Sequence, residues 1–165
     1  MRNFEEKIKT RAEIKRIAKK LKSEGKKIVT TNGCFDIMHA GHAESFEKAK
    51  SFGDVLIVGL NSDKSVKENK GDLRPIIDEK NRAKMVAALE AVDYVVLFDE
   101  KEPTKLIEQI KPDIHIKGAD RKMSEIIEKD AVEKNGGKVI LIPFKTDIST
   151  TKIIEKIVKI YGNEK

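Results

Sequence analysis

The chain has one cysteine, no tryptophan, a single glutamine and only eight aromatic residues, two Tyr and six Phe, in 165. A lone Cys34 excludes an intrachain disulfide framework and fits a reducing compartment, so the cytoplasm is the expected location. No stretch of about 18 apolar residues occurs, which excludes a hydrophobic membrane-spanning helix. The opening "MRNFEEKIKTRAEIKR" has no apolar core of the kind a secretory signal needs. With so few aromatics a base-stacking surface for nucleic acid is not expected. Lysine and glutamate are abundant beside the one Gln109, a composition resembling that of thermophile proteins.

What is present is charge, 38% of residues, and an uneven distribution of it. Residues 1–27 hold 11 Lys/Arg against 4 Asp/Glu, a net of +7, while the remaining 138 residues carry 23 against 24, a net of −1. The excess of base therefore belongs to the first helix. It reads as a lysine-rich solvated face, with nucleic-acid binding as the alternative that steep salt dependence would reveal. The length suits one domain with a sizeable core. We expect residues 1–27 to form a basic helix packed on a domain of residues 28–165.

Thr10 to Glu13 is a capping box, followed by Ile14, Ile17, Ala18 and Leu21 on one face and a stop at Gly25. Five β-branched or apolar runs then follow, "KIVTTNG", "DVLIVGL", "DYVVLF", "PDIHIKG" and "KVILIPF", and helical patterns separate them. Met85, Ala88 and Leu89 should share one helix face, residues 124–137 and 149–161 should be helices, and the polar stretch 61–75 should be a loop. Near-continuous Val/Ile strands alternating with helices predict a single α/β domain, a Rossmann-like parallel sheet of five strands with helices on both faces.

Parallel sheets of this kind bind ligands beyond the carboxyl ends of their strands. Four such ends are polar or glycine-bearing: "TNGCFDIMHAGH", "NSDKS", "KGAD" and "KTDISTT". His39 and His42 lie three residues apart with Gly41 between them, so at a helix start they share a face. Two surface histidines near a turn are the plain reading. A zinc pair lacks supporting cysteines or an HExxH context. Donation to phosphate beside a helix N-terminus is the third reading, favoured by Asn32 and Gly33 at the strand end. His115, inside a strand, reads as buried and structural.

At "GCFDIMHAGH" and "ISTTKIIEKI" the chain resembles the nucleotidyltransferases with an HxGH motif, the cytidylyltransferase-like superfamily that includes glycerol-3-phosphate cytidylyltransferase. Through "NSDKSVKENKGDLRPI", "EAVDYVVLF" and "IKGAD" it is more similar to one branch, the adenylyltransferase part of bifunctional ADP-heptose synthase. The resemblance covers roughly residues 10–162. It implies transfer of AMP from ATP to D-glycero-β-D-manno-heptose 1-phosphate, with Mg²⁺ as counter-ion of ATP and no dedicated metal cage. It also implies a homodimer, and a heptose kinase on another polypeptide. The carried-over catalytic residues are His39, His42 and Lys70. Those carried over for ATP or phosphate are Asn32, Gly33, Cys34, Phe35, Asp36, Gly41, Arg82, Lys117, Gly118, Asp120, Ser149, Thr150 and Thr151.

Several of these have plainer readings. Cys34 reads as a half-buried inert thiol, Phe35 as packing and Asp36 as a cap or orienting carboxylate. Arg82 could be a helix-surface ion pair, and Ser149 a simple N-cap. Arg74, before a proline, would organise its loop. Glycerol-3-phosphate enzymes of the family carry "RTEGISTT" where this chain has "FKTDISTT", with Lys145 and Asp147. That departure argues against CTP and glycerol 3-phosphate, which stay as the alternative pair of substrates.

Overall fold

The computed structural model describes residues 3–119, 122–143 and 147–162. After a 3-10 turn at Phe4–Lys7 come β1 (Ile8–Lys9), α1 (Arg11–Ser23), β2 (Ile28–Gly33), α2 (Ala40–Lys50), β3 (Val55–Asn61), α3 (Asp63–Lys70) and α4 (Glu79–Ala88). Then follow β4 (Tyr94–Phe98), α5 (Thr104–Ile110), β5 (Ile114–Gly118), a 3-10 turn at Met123–Glu125, α6 (Lys129–Glu133), β6 (Lys138–Ile142) and α7 (Thr150–Tyr161). The sheet is wholly parallel with strand order β1-β4-β3-β2-β5-β6. It has six strands rather than five. The extra strand is the two-residue edge β1, whose Ile8 and Lys9 pair with Val95 and Val96. Two residues carry no periodicity, which is why the pattern does not announce it.

Alternation along each strand divides the core into two layers. Ile28, Ile57, Val96 and Phe98 face α1 and α5, where Ile14, Ala18, Leu106 and Ile110 pack. Val29, Leu56, Val58 and Val95 face the other way, onto Phe46 and Ala49 of α2 and Ala83, Val86 and Ala87 of α4. The capping box of α1 forms as read, with Glu13 N donating to Thr10 Oγ1 at 3.3 Å and Thr10 N donating to Glu13 Oε2 at 2.8 Å.

Three expectations are corrected. Residues 63–70 are helical, started by Ser62, whose hydroxyl accepts from Ser65 N, and ended by Gly71 at φ +89°. The stretch 124–137 is no continuous helix but a 3-10 turn and the short α6. On α4 the inward face is Arg82, Ala83, Val86 and Ala87, while Met85 is 53% exposed and Ala88 also faces solvent. Among the described residues no helix is long and apolar enough to cross a membrane.

Candidate active site

Strand order reverses between β2 and β5, since β3 and β4 extend the sheet to one side of β2 and β5 and β6 to the other. The crevice beyond the ends of β2 and β5 is therefore where this topology leaves room for a ligand. A cleft of about 660 Å³ opens there, lined among others by Asn32, Gly33, Cys34, Phe35, Asp36, His42, Lys70, Lys117, Gly118, Thr150 and Thr151.

The segment after β2 is tightly determined. Phe35 holds φ +44°, a left-handed conformation costly for a bulky side chain. Its ring folds back so closely that a Cβ on Gly33 would lie 2.9 Å from it, so position 33 needs glycine. The ring meets Phe46 at 4.8 Å and the edge of His42 at 5.3 Å between centroids. Asp36, 2% exposed, accepts from Arg74 Nε at 2.5 Å and from the backbone N–H groups of Ile76 and Ile77, at 2.9 Å each to Oδ1. Burial alone would raise its pKa, but these donors together hold it below the usual aspartate value. Asp36 thus moors the 74–77 segment beside the cleft, and Arg74 lines that cleft as it does so.

Arg82 is not brought to the cleft surface. It is fully buried and donates from Nε to Ile77 O at 2.9 Å, from Nη1 to Cys34 O, and from Nη2 to Asp63 Oδ1 at 2.8 Å. All three of its nitrogens are occupied in joining α4, α3 and the β2–α2 segment. Cys34 is half-buried, and burial pushes its thiol pKa up, as an inert thiol requires.

His39 is the N-cap of α2 but makes no side-chain cap. Its ring stacks on that of His42, 3.8 Å between centroids at 24°. Nδ1 of both rings is buried without a partner among the described residues. Burial lowers the pKa of both, His42 to about 4 with the neighbouring His39 adding to the effect. Two neutral imidazoles are therefore stacked at the start of a helix. Gly41 is buried in the first turn of α2 and borders a second, smaller hollow instead of the main cleft.

At β5 the cleft floor is a chain of polar groups. Lys117 Nζ donates to Asn32 Oδ1 at 2.6 Å across the switch point, and pairs with Glu128. Glu128 also takes His115 Nε2 at 3.1 Å, and His115 Nδ1 lies 2.8 Å from Thr30 Oγ1. The carboxylate can only accept, so the fully buried His115 carries its proton on Nε2 and Thr30 donates to Nδ1. Burial would push the Glu128 carboxyl up, yet the His115 hydrogen bond and the Lys117 charge hold it at about 2. Burial dominates for His115 and lowers its pKa.

Ser149 caps α7 by accepting from Lys152 N at 3.2 Å, and Thr150 Oγ1 donates to Ile37 O at 3.3 Å. Thr150 and Thr151 line the cleft; Ser149 does not. Lys70, the last residue of α3, reaches it from the opposite side. Asp120 and Lys145 fall outside the described residues. Sequence reasoning missed Glu128, Asn61, Asn69, Lys101 and Glu102, all of which line the cleft. Glu128 sits within "SEIIEKDAVEK", where a charged residue reads as solvated, and only the distant strand partner His115 could have marked it.

A family model described as cytidylyltransferase-like matches residues 30–156. A bifunctional protein HldE of Geobacter metallireducens is 54% identical over 143 residues, 87% of this chain and 29% of that protein. The bifunctional protein HldE of Trichlorobacter lovleyi is 47% identical over 163 residues, 99% of this chain and 33% of that protein. The chain thus spans about a third of the length of these curated relatives. Among solved structures, a lipopolysaccharide core biosynthesis protein from Thermoplasma volcanium matches with a TM-score of 0.62 and 32% identity, over 75% of this chain and 100% of that one. A pantoate-beta-alanine ligase from Francisella tularensis matches with a TM-score of 0.64 over 95% of this chain and 79% of that one, at 18% identity, and shares the fold alone.

Proposed function

Because the chain belongs to the cytidylyltransferase-like family and is a nucleotidyltransferase, we propose that it transfers AMP from ATP to a sugar 1-phosphate, D-glycero-β-D-manno-heptose 1-phosphate. Pyrophosphate leaves, and ADP-heptose is formed for the lipopolysaccharide core. The likeness to HldE proteins and to a lipopolysaccharide core biosynthesis protein supports the pathway. A separate kinase would supply the sugar 1-phosphate, and the enzyme would act in the cytoplasm as a homodimer.

The observation that carries the reading is the stacked His39–His42 pair, neutral and with unpartnered nitrogens, at the head of α2 beside the switch-point cleft. An oxygen of the sugar phosphate attacks the α-phosphorus of ATP in line, the P–O bond to pyrophosphate breaks, and the leaving group takes the bonding pair. The nucleophile is already ionised, so no base is needed. What the site must supply is position and hydrogen-bond donation to oxygens that gain charge. Each neutral imidazole keeps one N–H to donate, and its stacked partner carries no charge to repel it. Lys70 would meet the departing pyrophosphate, and the α7 N-terminus with Thr150 and Thr151 the nucleotide phosphates. Lys117 and Gly118 would hold the nucleoside, and Asn32, oriented by Lys117, would donate its amide hydrogens into the cleft.

Asp36 spends its oxygens on Arg74, Ile76 and Ile77, and among the described residues no group of three acidic, histidine or cysteine side chains is placed to hold a metal. Mg²⁺ would arrive as the counter-ion of ATP, held mainly by phosphate oxygens and water.

The test is pyrophosphate release from ATP or CTP, each offered heptose 1-phosphate or glycerol 3-phosphate. Turnover is expected only with ATP and the heptose phosphate, and His39→Ala should lower kcat by about 10²–10³-fold. Turnover with CTP and glycerol 3-phosphate would overturn the proposal.

A further inference from the structure

The cleft continues past the switch point toward the ends of β3 and β4, where Asn61, Asn69, Lys101, Glu102 and Pro103 line it and no role in adenylyl transfer has been given to them. Resting on the adenylyl-transfer reading, we propose that this lobe seats the hydroxyl-bearing body of the acceptor. The carboxamide oxygens of Asn61 and Asn69 would accept from its hydroxyls, which selects a polyhydroxylated sugar phosphate over a short-chain alcohol phosphate.

The orientation of both amides is fixed by their neighbours. Ser65 Oγ donates its single proton to Glu100 O at 2.7 Å. The group 2.8 Å from it must therefore be a donor, which makes it Asn61 Nδ2. Asn69 Nδ2 lies 2.9 Å from Ser65 O and 3.0 Å from Lys101 O, two carbonyls that can only accept. Neither side chain can flip without setting oxygen against oxygen. In each, the nitrogen end is consumed within the fold, while the oxygen end has no donor among the described residues.

Asn61 is only 4% exposed, so the little surface it shows faces the cleft. An amide oxygen repels phosphate and accepts from hydroxyl. Two of them, held by one serine and the start of the β4–α5 connection, complement a polyol and not a second anion. Lys101 and Glu102 add a donor and an acceptor at the rim, and Pro103 a small apolar surface for ring C–H groups. Adjacent strands lie about 4.8 Å apart. The end of β4 is therefore about 10 Å from the end of β2, room for a sugar beside the nucleotide.

The test measures heptose 1-phosphate binding by calorimetry to the full chain holding a non-hydrolysable ATP analogue. Glycerol 3-phosphate serves as the comparison ligand, and pyrophosphate release is followed in parallel. Asn69→Ala and Asn61→Ala should each weaken heptose 1-phosphate about tenfold, the size of one lost hydrogen bond. Affinity for the ATP analogue and for glycerol 3-phosphate should stay within about twofold, close to the scatter around that lost bond. If Asn61→Ala fails to fold, Asn69→Ala, on the exposed side of α3, decides. Unchanged sugar affinity, equal loss for all three ligands, or no sugar binding by the unaltered protein would each overturn the proposal. Tight, Asn-dependent sugar binding without pyrophosphate release would instead support the lobe and sink the transfer reaction.

Discussion

His42 titrates near 4 because its ring is largely buried and stacked on a second imidazole, which would have to share space with its charge. In the free protein the ring of His42, followed by its NMR shifts, should therefore stay neutral from about pH 8 down to about 5.5 and protonate only near 4. An inflection at about 6.5 would show that the pair titrates as solvated histidines. The spacing of this pair was legible in the sequence, since three residues at a helix start puts two rings on one face. Their neutrality was not, because it depends on Phe35 and on the packing of the β2–α2 segment. The opposite holds for Asp36, whose own turn says nothing of Arg74, Ile76 and Ile77 some forty residues away.

At the level of elements, α4 shows why the inward face was misread. A helix pattern is read by finding the apolar stripe, and an arginine is counted on the water side. Here Arg82 is 0% exposed and satisfied by two carbonyls and Asp63, so the true face runs Arg82, Ala83, Val86, Ala87 and leaves Met85 outside. The same arginine explains part of the error at residues 61–75. The helix α3 is short and charged, with too little apolar surface to declare itself. Its first residue, Asp63, is anchored by Arg82, and its N–H donates to Glu79 Oε2 of α4 at 2.7 Å. Arg82→Met should cost roughly 2–5 kcal/mol, since it leaves the carbonyls of Ile77 and Cys34 without their donor and Asp63 without its counter-charge. Arg82→Lys should restore less than half of it, since one ammonium cannot reach three acceptors in a plane. Urea unfolding checks both. A loss below about 1 kcal/mol for Arg82→Met, the level of an ordinary substitution, would mean that these three segments hold their places without it.

For the whole molecule, five of the six strands and most of the helices between them were readable, and so was a cleft at the strand ends. The strand order was not, and it is the order that puts Lys117 beside Asn32. It also buries a titratable chain, Thr30–His115–Glu128–Lys117–Asn32, under the cleft floor. This gives the fold a stepped response to acid. His42, His39 and His115 all have depressed pKa values, so below about 6.5 the unfolded chain takes up protons that the native state refuses. Stability is then full above that pH and falls as pH drops toward 4. Glu128 acts lower down. Its carboxyl is held at about 2 against an ordinary 4.5, so its contribution is present above 4.5 and is lost as pH falls through that window toward 2. Urea midpoints measured from pH 8 to pH 3 should accordingly begin to decline near 6.5 and steepen below 4.5. Glu128→Gln should start from a lower midpoint at pH 7, with Lys117 left against a neutral amide, and should flatten the lower limb, to which Asp36 also contributes, while keeping the upper one. A midpoint that stays level from pH 7 to pH 4 would show that the histidines are solvated in the folded protein. An unchanged lower limb in Glu128→Gln would show that the acid response comes from other carboxylates, Asp36 among them.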